Sequence, residues 1–178
     1  PSVNPNDPMG ARERGARNRA VTDPFEPGST VKPFTLAAAL EAGAVTPSEE
    51  WDCENGAWRI GNVTLHDAEP EGVLTTTQVL ARSSNICTAK IARRLGKDKL
   101  YLFLRQMGFF ALTGVDLPGE RSGQVRPVGE WGDISFANIS FGQGMTATPL
   151  QLASALSAIA NGGTLYRPHI VRRIVSPT

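Results

Sequence analysis

Charge of one sign is what this sequence most lacks: 18 Lys and Arg stand against 17 Asp and Glu in 178 residues, a formal net charge of +1. A charge of that size gives no field that would select nucleic acid or an anionic membrane surface as the main partner. Long hydrophobic runs are missing as well. The longest uninterrupted apolar stretch is Leu36–Leu40, far short of the roughly 18–20 residues that span a bilayer. Histidine and cysteine are scarce, two of each, and Cys53, Cys87, His66 and His169 have no metal-ligand spacing. Two free thiols are expected, with Cys87 packed in a helical core and Cys53 in a polar loop; a disulfide between them is the alternative. The sequence opens on Pro1 without a charged or apolar leader, so no targeting peptide is read, and it stops just after a β-like apolar stretch. Both ends read as cut. What is present, 40% hydrophobic and 20% charged residues with dispersed Gly and Pro, describes an ordinary globular chain with enough length for one core.

Residues 1–24 are polar and read as an irregular or extended lead-in. A first helix is expected from Ser29 to Ala42, with Pro27-Gly28 breaking the chain before it and Gly43 ending it. Pro33 is tolerated in its first turn, where backbone N–H groups have no intrahelical acceptor. Residues 46–73 read as loop with short strands near Trp58–Ile60 and Val63–His66. Helices follow at Thr75–Arg82, Ile86–Leu95 and Lys97–Met107, the last with an apolar stripe of Leu100, Phe103, Leu104 and Met107. Residues 113–133 read as loop. The final helix has a capping box, Thr148 with Gln151 around Pro149, and an expected core stripe of Leu152, Leu156 and Ile159.

The segment Glu26–Phe34 places Ser29 at a helix start and Lys32 three residues later, on one face. A serine hydroxyl becomes a useful nucleophile when a neighbouring base takes its proton. Lysine is such a base only when neutral, which means bringing its pKa from near 10.4 to about 7, roughly 4 kcal/mol. Burial and the positive end of a helix dipole push that way. The same N-terminus offers the Ser29 N–H to an oxyanion. By itself S-x-x-K is weak, since 11 Ser and 4 Lys produce it by accident in about one such chain in four, and a serine at a helix start is commonly a cap. A second element adds weight. Ser83-x-Asn85 falls at the corner between two expected helices, where short polar side chains project into a cleft to relay a proton or hold an amide.

In this order and context the chain resembles the transpeptidase domain of class B penicillin-binding proteins, particularly the cell-division type. The likeness is carried by Pro1–Asn6, Arg17–Asp23, Glu26–Phe34, Arg82–Asn85, Ile139–Gly144, Thr148–Leu152, Ala160–Gly163 and Tyr166–Pro168, essentially the whole chain. The resemblance implies an α+β fold of the penicillin-binding/serine β-lactamase type, here mainly the helical subdomain with part of the antiparallel sheet. It implies peptidoglycan D,D-transpeptidase chemistry on stem peptides ending in D-Ala-D-Ala, inhibition by β-lactams, and no metal or organic cofactor. Ser29 would be the acylated nucleophile, Lys32 its base, Ser83 a proton shuttle and Asn85 the holder of the substrate amide; the base assignment is disputed among relatives of this fold. The family works on the extracytoplasmic face of the cytoplasmic membrane, with division proteins as partners. One departure stands out: the family's K-T-G motif does not occur after Lys32. Residues 1–178 are therefore expected to be a partial domain lacking the K-T-G strand, the N-terminal pedestal and the membrane anchor, with some core left exposed.

Other readings compete. A β-lactam sensor domain of a signalling receptor would use the same serine and lysine without turning over a stem peptide. A serine β-lactamase would deacylate fast, and a truncated piece of the transpeptidase would be inactive. Gly142-Gln-Gly144 lacks the rest of a phosphate loop. Trp51, Trp58 and Trp131 are expected to pack rather than form a glycan platform. His66-Asp67 is expected to make a loop hydrogen bond rather than a base–orienter pair, and Arg12, Arg14, Arg17 and Arg19 a solvated face.

Overall fold

The computed structural model describes residues 17–175 together with Asn4, Asn6, Asp7, Met9 and Gly10. Arg12, Arg14, most of Pro1–Asn6 and nearly half of the expected lead-in lie outside the described residues. Within the lead-in, Arg19–Thr22 forms a short helix, α1, capped by the Asn18 side chain, and Arg17 and Arg19 both approach Asp23.

Helix α2, Lys32–Glu41, is the axis of the core. It is preceded by a 3-10 turn, Gly28–Val31, so Ser29 lies one turn ahead of the α-helix proper and Pro33 falls in the first α-turn. Phe34, Leu36, Ala38 and Ala39 are buried. They pack α2 against α4 (Asn85–Leu95) and α5 (Lys97–Gln106). Leu100 and Leu104 of α5 are fully buried and Phe103 and Met107 partly so, as the stripe predicts. The Phe34 and Phe109 rings meet edge to face at 5.1 Å. Helix α3, Thr76–Arg82, carries a capping box of Thr75 and Gln78.

The strands among the described residues are short and form two separate two-stranded sheets. β1 (Glu50–Asp52) pairs antiparallel with β4 (Val73–Thr75), and β2 (Ala57–Ile60) with β3 (Val63–His66). The β2–β3 hairpin was legible; β1 and β4 were not. Ile60 of the hairpin is buried with Ala89 of α4 and with Ala137 and Phe141, and Trp58, Leu65 and Ile134 pack around them. That seating brings the end of β3 to the start of α4.

Several expectations are corrected. Cys53 and Cys87 are joined in a disulfide, not free. Both are fully buried, because β1 and the turn after it fold onto α4 and bring two cysteines 34 residues apart together. Of the expected 113–133 loop, residues 113–132 are loop apart from a 3-10 turn at Val128–Glu130, but a helix, α6, begins at its end, Asp133–Ser140. The last helix, α7 (Pro149–Ala160), has the expected Thr148–Gln151 capping box. Leu152 of the expected stripe packs on the core, but the fully buried face is Gln151, Ala155 and Ala158, and Leu156 and Ile159 are each 39% exposed. Small residues allow α7 to approach its neighbours on that side, and those two larger side chains face outward. Trp51 and Trp131 are buried with their indole N–H groups bonded to Thr76 Oγ1 and the Arg126 carbonyl, and Trp58 lies beneath Lys90 and Arg93.

Candidate active site

Ser29 occupies the 3-10 turn that opens α2. Residues i and i+3 eclipse in a 3-10 turn, so Ser29 and Lys32 leave the chain on the same side, and the Lys32 N–H closes the turn on the Ser29 carbonyl. The Ser29 side is exposed, whereas Lys32 is only 1% exposed. Among the described residues nothing takes the Ser29 hydroxyl. Its N–H sits in the first turn, where no intrahelical acceptor exists for it.

The Lys32 amine reaches across to the α3–α4 corner. It donates to the Ser83 hydroxyl at 2.9 Å and also to the Ser83 carbonyl. Ser83 adopts a left-handed conformation, φ 57 and ψ 38, that ends α3 and turns the chain into α4. This conformation costs a non-glycine residue about 1–2 kcal/mol, and here it aims both Ser83 oxygens at one amine. Ser84 caps α4, and Asn85 is its first residue. Burial lowers the Lys32 pKa from 10.5 to about 8, against the Asp67 carboxylate, which raises it. About a tenth of the amine is then neutral at pH 7, enough for it to act as a base.

All four residues marked in the sequence thus belong to one constellation: Ser29 and Lys32 on one turn, Ser83 on the lysine, Asn85 next along the same corner. Asn85 Nδ2 donates to the His66 carbonyl at 3.0 Å. The other amide N–H and the amide oxygen remain for a peptide group.

Two further residues build the site, though the sequence assigned neither a role in it. The Asp67 carboxylate accepts from Ser84 Oγ at 2.6 Å, from Ile86 N at 3.0 Å and from Asn85 N. The expected loop hydrogen bond at His66-Asp67 is therefore there, but it extends into a cap on α4. Gly142 lies directly against the turn that holds the serine. Its carbonyl accepts from Gly28 N at 3.0 Å, and a Cβ on Gly142 would stand 2.2 Å from Gly28 O. Glu26 Oε1 accepts from Gly144 N at 2.9 Å, and Thr35 Oγ1 donates to the Ser140 carbonyl. The Ser140–Gly144 stretch, unfit for phosphate by its sequence, is a backbone cradle for the Ser29 turn. A cleft of about 520 Å³ opens beside it, between the β2–β3 turn, Arg126 and the start of α6; none of Ser29, Lys32, Ser83 and Asn85 lines it.

Residues 1–178 match the family described as penicillin binding protein transpeptidase domain. The chain belongs to that family. Among curated relatives, this transpeptidase chain is 40% identical over 167 residues to penicillin-binding protein PbpB of Mycolicibacterium smegmatis, covering 93% of this chain and 26% of that protein. It is 38% identical over 177 residues to peptidoglycan D,D-transpeptidase FtsI of Escherichia coli, covering 99% of this chain and 30% of that one. Among solved structures, the transpeptidase domain of Burkholderia pseudomallei penicillin-binding protein 3 superposes with a TM-score of 0.85 at 35% identity, over 89% of this chain and 48% of that one. Penicillin-binding protein 3 of Mycobacterium tuberculosis in complex with aztreonam gives 0.83 at 40% identity, over 91% and 37%. The fold is the mixed helix and antiparallel-sheet fold of the penicillin-binding proteins, and the relatives are of class B. The transpeptidase chain spans about a quarter to a third of the length of these curated relatives.

Proposed function

We propose that this chain supplies the nucleophile half of a peptidoglycan D,D-transpeptidase. Ser29 Oγ attacks the carbonyl between the last two D-Ala residues of a stem peptide, and Lys32 takes its proton. Ser83, hydrogen-bonded to Lys32, relays a proton to the departing D-Ala amine, and Asn85 holds the donor peptide group. The Ser29 N–H supports the oxyanion. An amine from a second strand then displaces Ser29 from the ester, its proton returning through the lysine. A β-lactam enters the same first step and leaves a slowly hydrolysed ester. Neither a metal nor an organic cofactor takes part.

The observation that carries this reading is the 2.9 Å bond between Lys32 Nζ and Ser83 Oγ. It links Lys32 of the first motif to Ser83 of the second, around a lysine whose pKa burial lowers to about 8. The aztreonam and ampicillin complexes of the M. tuberculosis neighbour support the β-lactam part. The K-T-G strand, which would bind the substrate carboxylate and complete the oxyanion hole, comes in this proposal from sequence beyond Thr178. The exposed apolar side chains of Leu156, Ile159 and Leu165 would give it a seat. The pedestal and anchor are likewise supplied by other segments; no helix among the described residues is long and apolar enough to cross a membrane. A buried disulfide agrees with work on the extracytoplasmic face, since cytosolic thiols are kept reduced. Division proteins are the proposed partners there.

The test is D-Ala release from a stem pentapeptide by the longest natural polypeptide carrying this sequence, with Ser29→Ala beside it. Release coupled to amine transfer, abolished by the substitution, is expected. A folded protein that is acylated by penicillin yet releases no D-Ala would replace this reading with that of a β-lactam sensor.

A further inference from the structure

Asp67 lies outside the S-x-x-K and S-x-N motifs, yet its carboxylate is the point where the corner is fastened. One oxygen accepts from Ile86 N at 3.0 Å and from Asn85 N; the other accepts from Ser84 Oγ at 2.6 Å. Ser84 is itself buried and passes the constraint on, its Oγ accepting from Cys87 N at 3.0 Å and its carbonyl from Thr88 Oγ1 at 2.6 Å. The residue before Asp67 takes the Asn85 side chain through the His66 carbonyl. The β2–β3 hairpin, seated on α4 and α6 by Ile60 and Phe141, carries both. On the other side of the corner stands Lys32, bonded to Ser83. Asp67 is the charged group acting on that amine; Ser83 presents neutral oxygens, and Arg82 is engaged with Glu71 at the surface.

We infer that Asp67 is the positioning residue of this site: its one carboxylate ties down Ser84, Asn85 and Ile86 at the start of α4, directly after the Ser83 that bonds Lys32. Hydrogen bonds to a carboxylate are stronger than those between neutral groups, and negative charge at a helix N-terminus is favoured. The corner is thereby held in the strained Ser83 conformation before substrate arrives. Asp67 touches no reacting atom in this scheme; it acts through Asn85, Ser83 and Lys32. The inference rests on the acyl-transfer reading above.

The experiment measures the second-order rate of acylation by a fluorescent penicillin against pH, in the longest natural polypeptide carrying this sequence. Wild type, Asp67→Ala and Asp67→Asn are compared, each with its melting temperature. Asp67→Ala is expected to lose about 100-fold in rate, the scale of a misplaced catalytic group. Asp67→Asn keeps an acceptor oxygen for the Asn85 and Ile86 N–H groups but removes the charge, so its loss is expected to be about tenfold. Its pH profile is the decisive readout. Without the anion the Lys32 ammonium is less favoured, so the rise in rate should move to lower pH. A residue that only held the fold would change the melting temperature and leave that midpoint in place. Should Asp67→Ala fail to fold, Asp67→Asn decides alone. Acylation at the wild-type rate, or an unmoved midpoint in Asp67→Asn, overturns the role of Asp67. Absence of a Ser29 adduct on the wild type instead overturns the acyl-transfer reading.

Discussion

The Lys32 amine lies 2.9 Å from the Ser83 hydroxyl, although 51 residues separate them in the chain. Two short motifs that are weak alone are linked by that hydrogen bond. The lysine is nearly inaccessible to water, so its charge is costly and its lone pair correspondingly available. Ser29, on the same turn, is exposed to an incoming substrate.

Acylation should therefore follow the neutral form of Lys32. With a pKa of about 8, the second-order rate of reaction with a penicillin should rise roughly tenfold from pH 6 to pH 7 and level off above pH 8. Stopped-flow acylation across that range checks it. Lys32→Arg should remove the rise along with the activity, because guanidinium does not lose its proton in this range.

The same lysine should weaken the fold. Its pKa is lower in the folded chain than in the unfolded one, so the folded state binds fewer protons between about pH 8 and 10.5. Stability then increases with pH across that window, and the full cost, about 3 kcal/mol, is present below it. Lys32→Met should raise the chemical-denaturation midpoint at pH 7 while abolishing acylation. A variant less stable than the wild type would contradict this.

The disulfide between Cys53 and Cys87 closes a loop of 34 residues, and chain entropy puts its contribution at about 4 kcal/mol. Replacing both cysteines by Ser should lower stability by that order. Because both sulfurs are buried, reductant should act on the wild type only under conditions that also open the fold. Thiol labelling during urea titration reads both effects.

Gly142 combines a φ of +84 with contact against Gly28 backbone. Gly142→Ala should cost at least about 2 kcal/mol. It should also slow acylation more than the lost stability explains, since Gly28 immediately precedes the nucleophile. Rates taken well below the melting temperature separate the two.

Local signals were legible in the sequence and distant ones were not. The Thr148–Gln151 box and the corner at Ser83 depend on neighbours within four residues, and both are where the sequence puts them. Helix α6 escaped notice because Phe136, Ala137, Ile139 and Ser140 are all buried, which leaves no clear apolar and polar faces. β1 and β4 are three residues each and pair across a long excursion. The α7 stripe misled in part: Leu152 packs on the core, but Leu156 and Ile159, although at helical spacing, are exposed, and the covered face is Gln151, Ala155 and Ala158. The disulfide, Asp67 and Gly142 all act on residues at least 17 positions away, beyond what periodicity or a short motif registers. The family resemblance pointed to Ser29, Lys32, Ser83 and Asn85, but it assigned no role to Asp67 or Gly142, which fasten the corner and the turn.

The central claim is that Ser29 is the acylated residue. Its most direct test is intact mass after incubation with a labelled penicillin, with peptide mapping and Ser29→Ala as the control. The account predicts one adduct per chain, mapped to Ser29 and absent from the variant. An adduct that persists in a folded Ser29→Ala protein would contradict it.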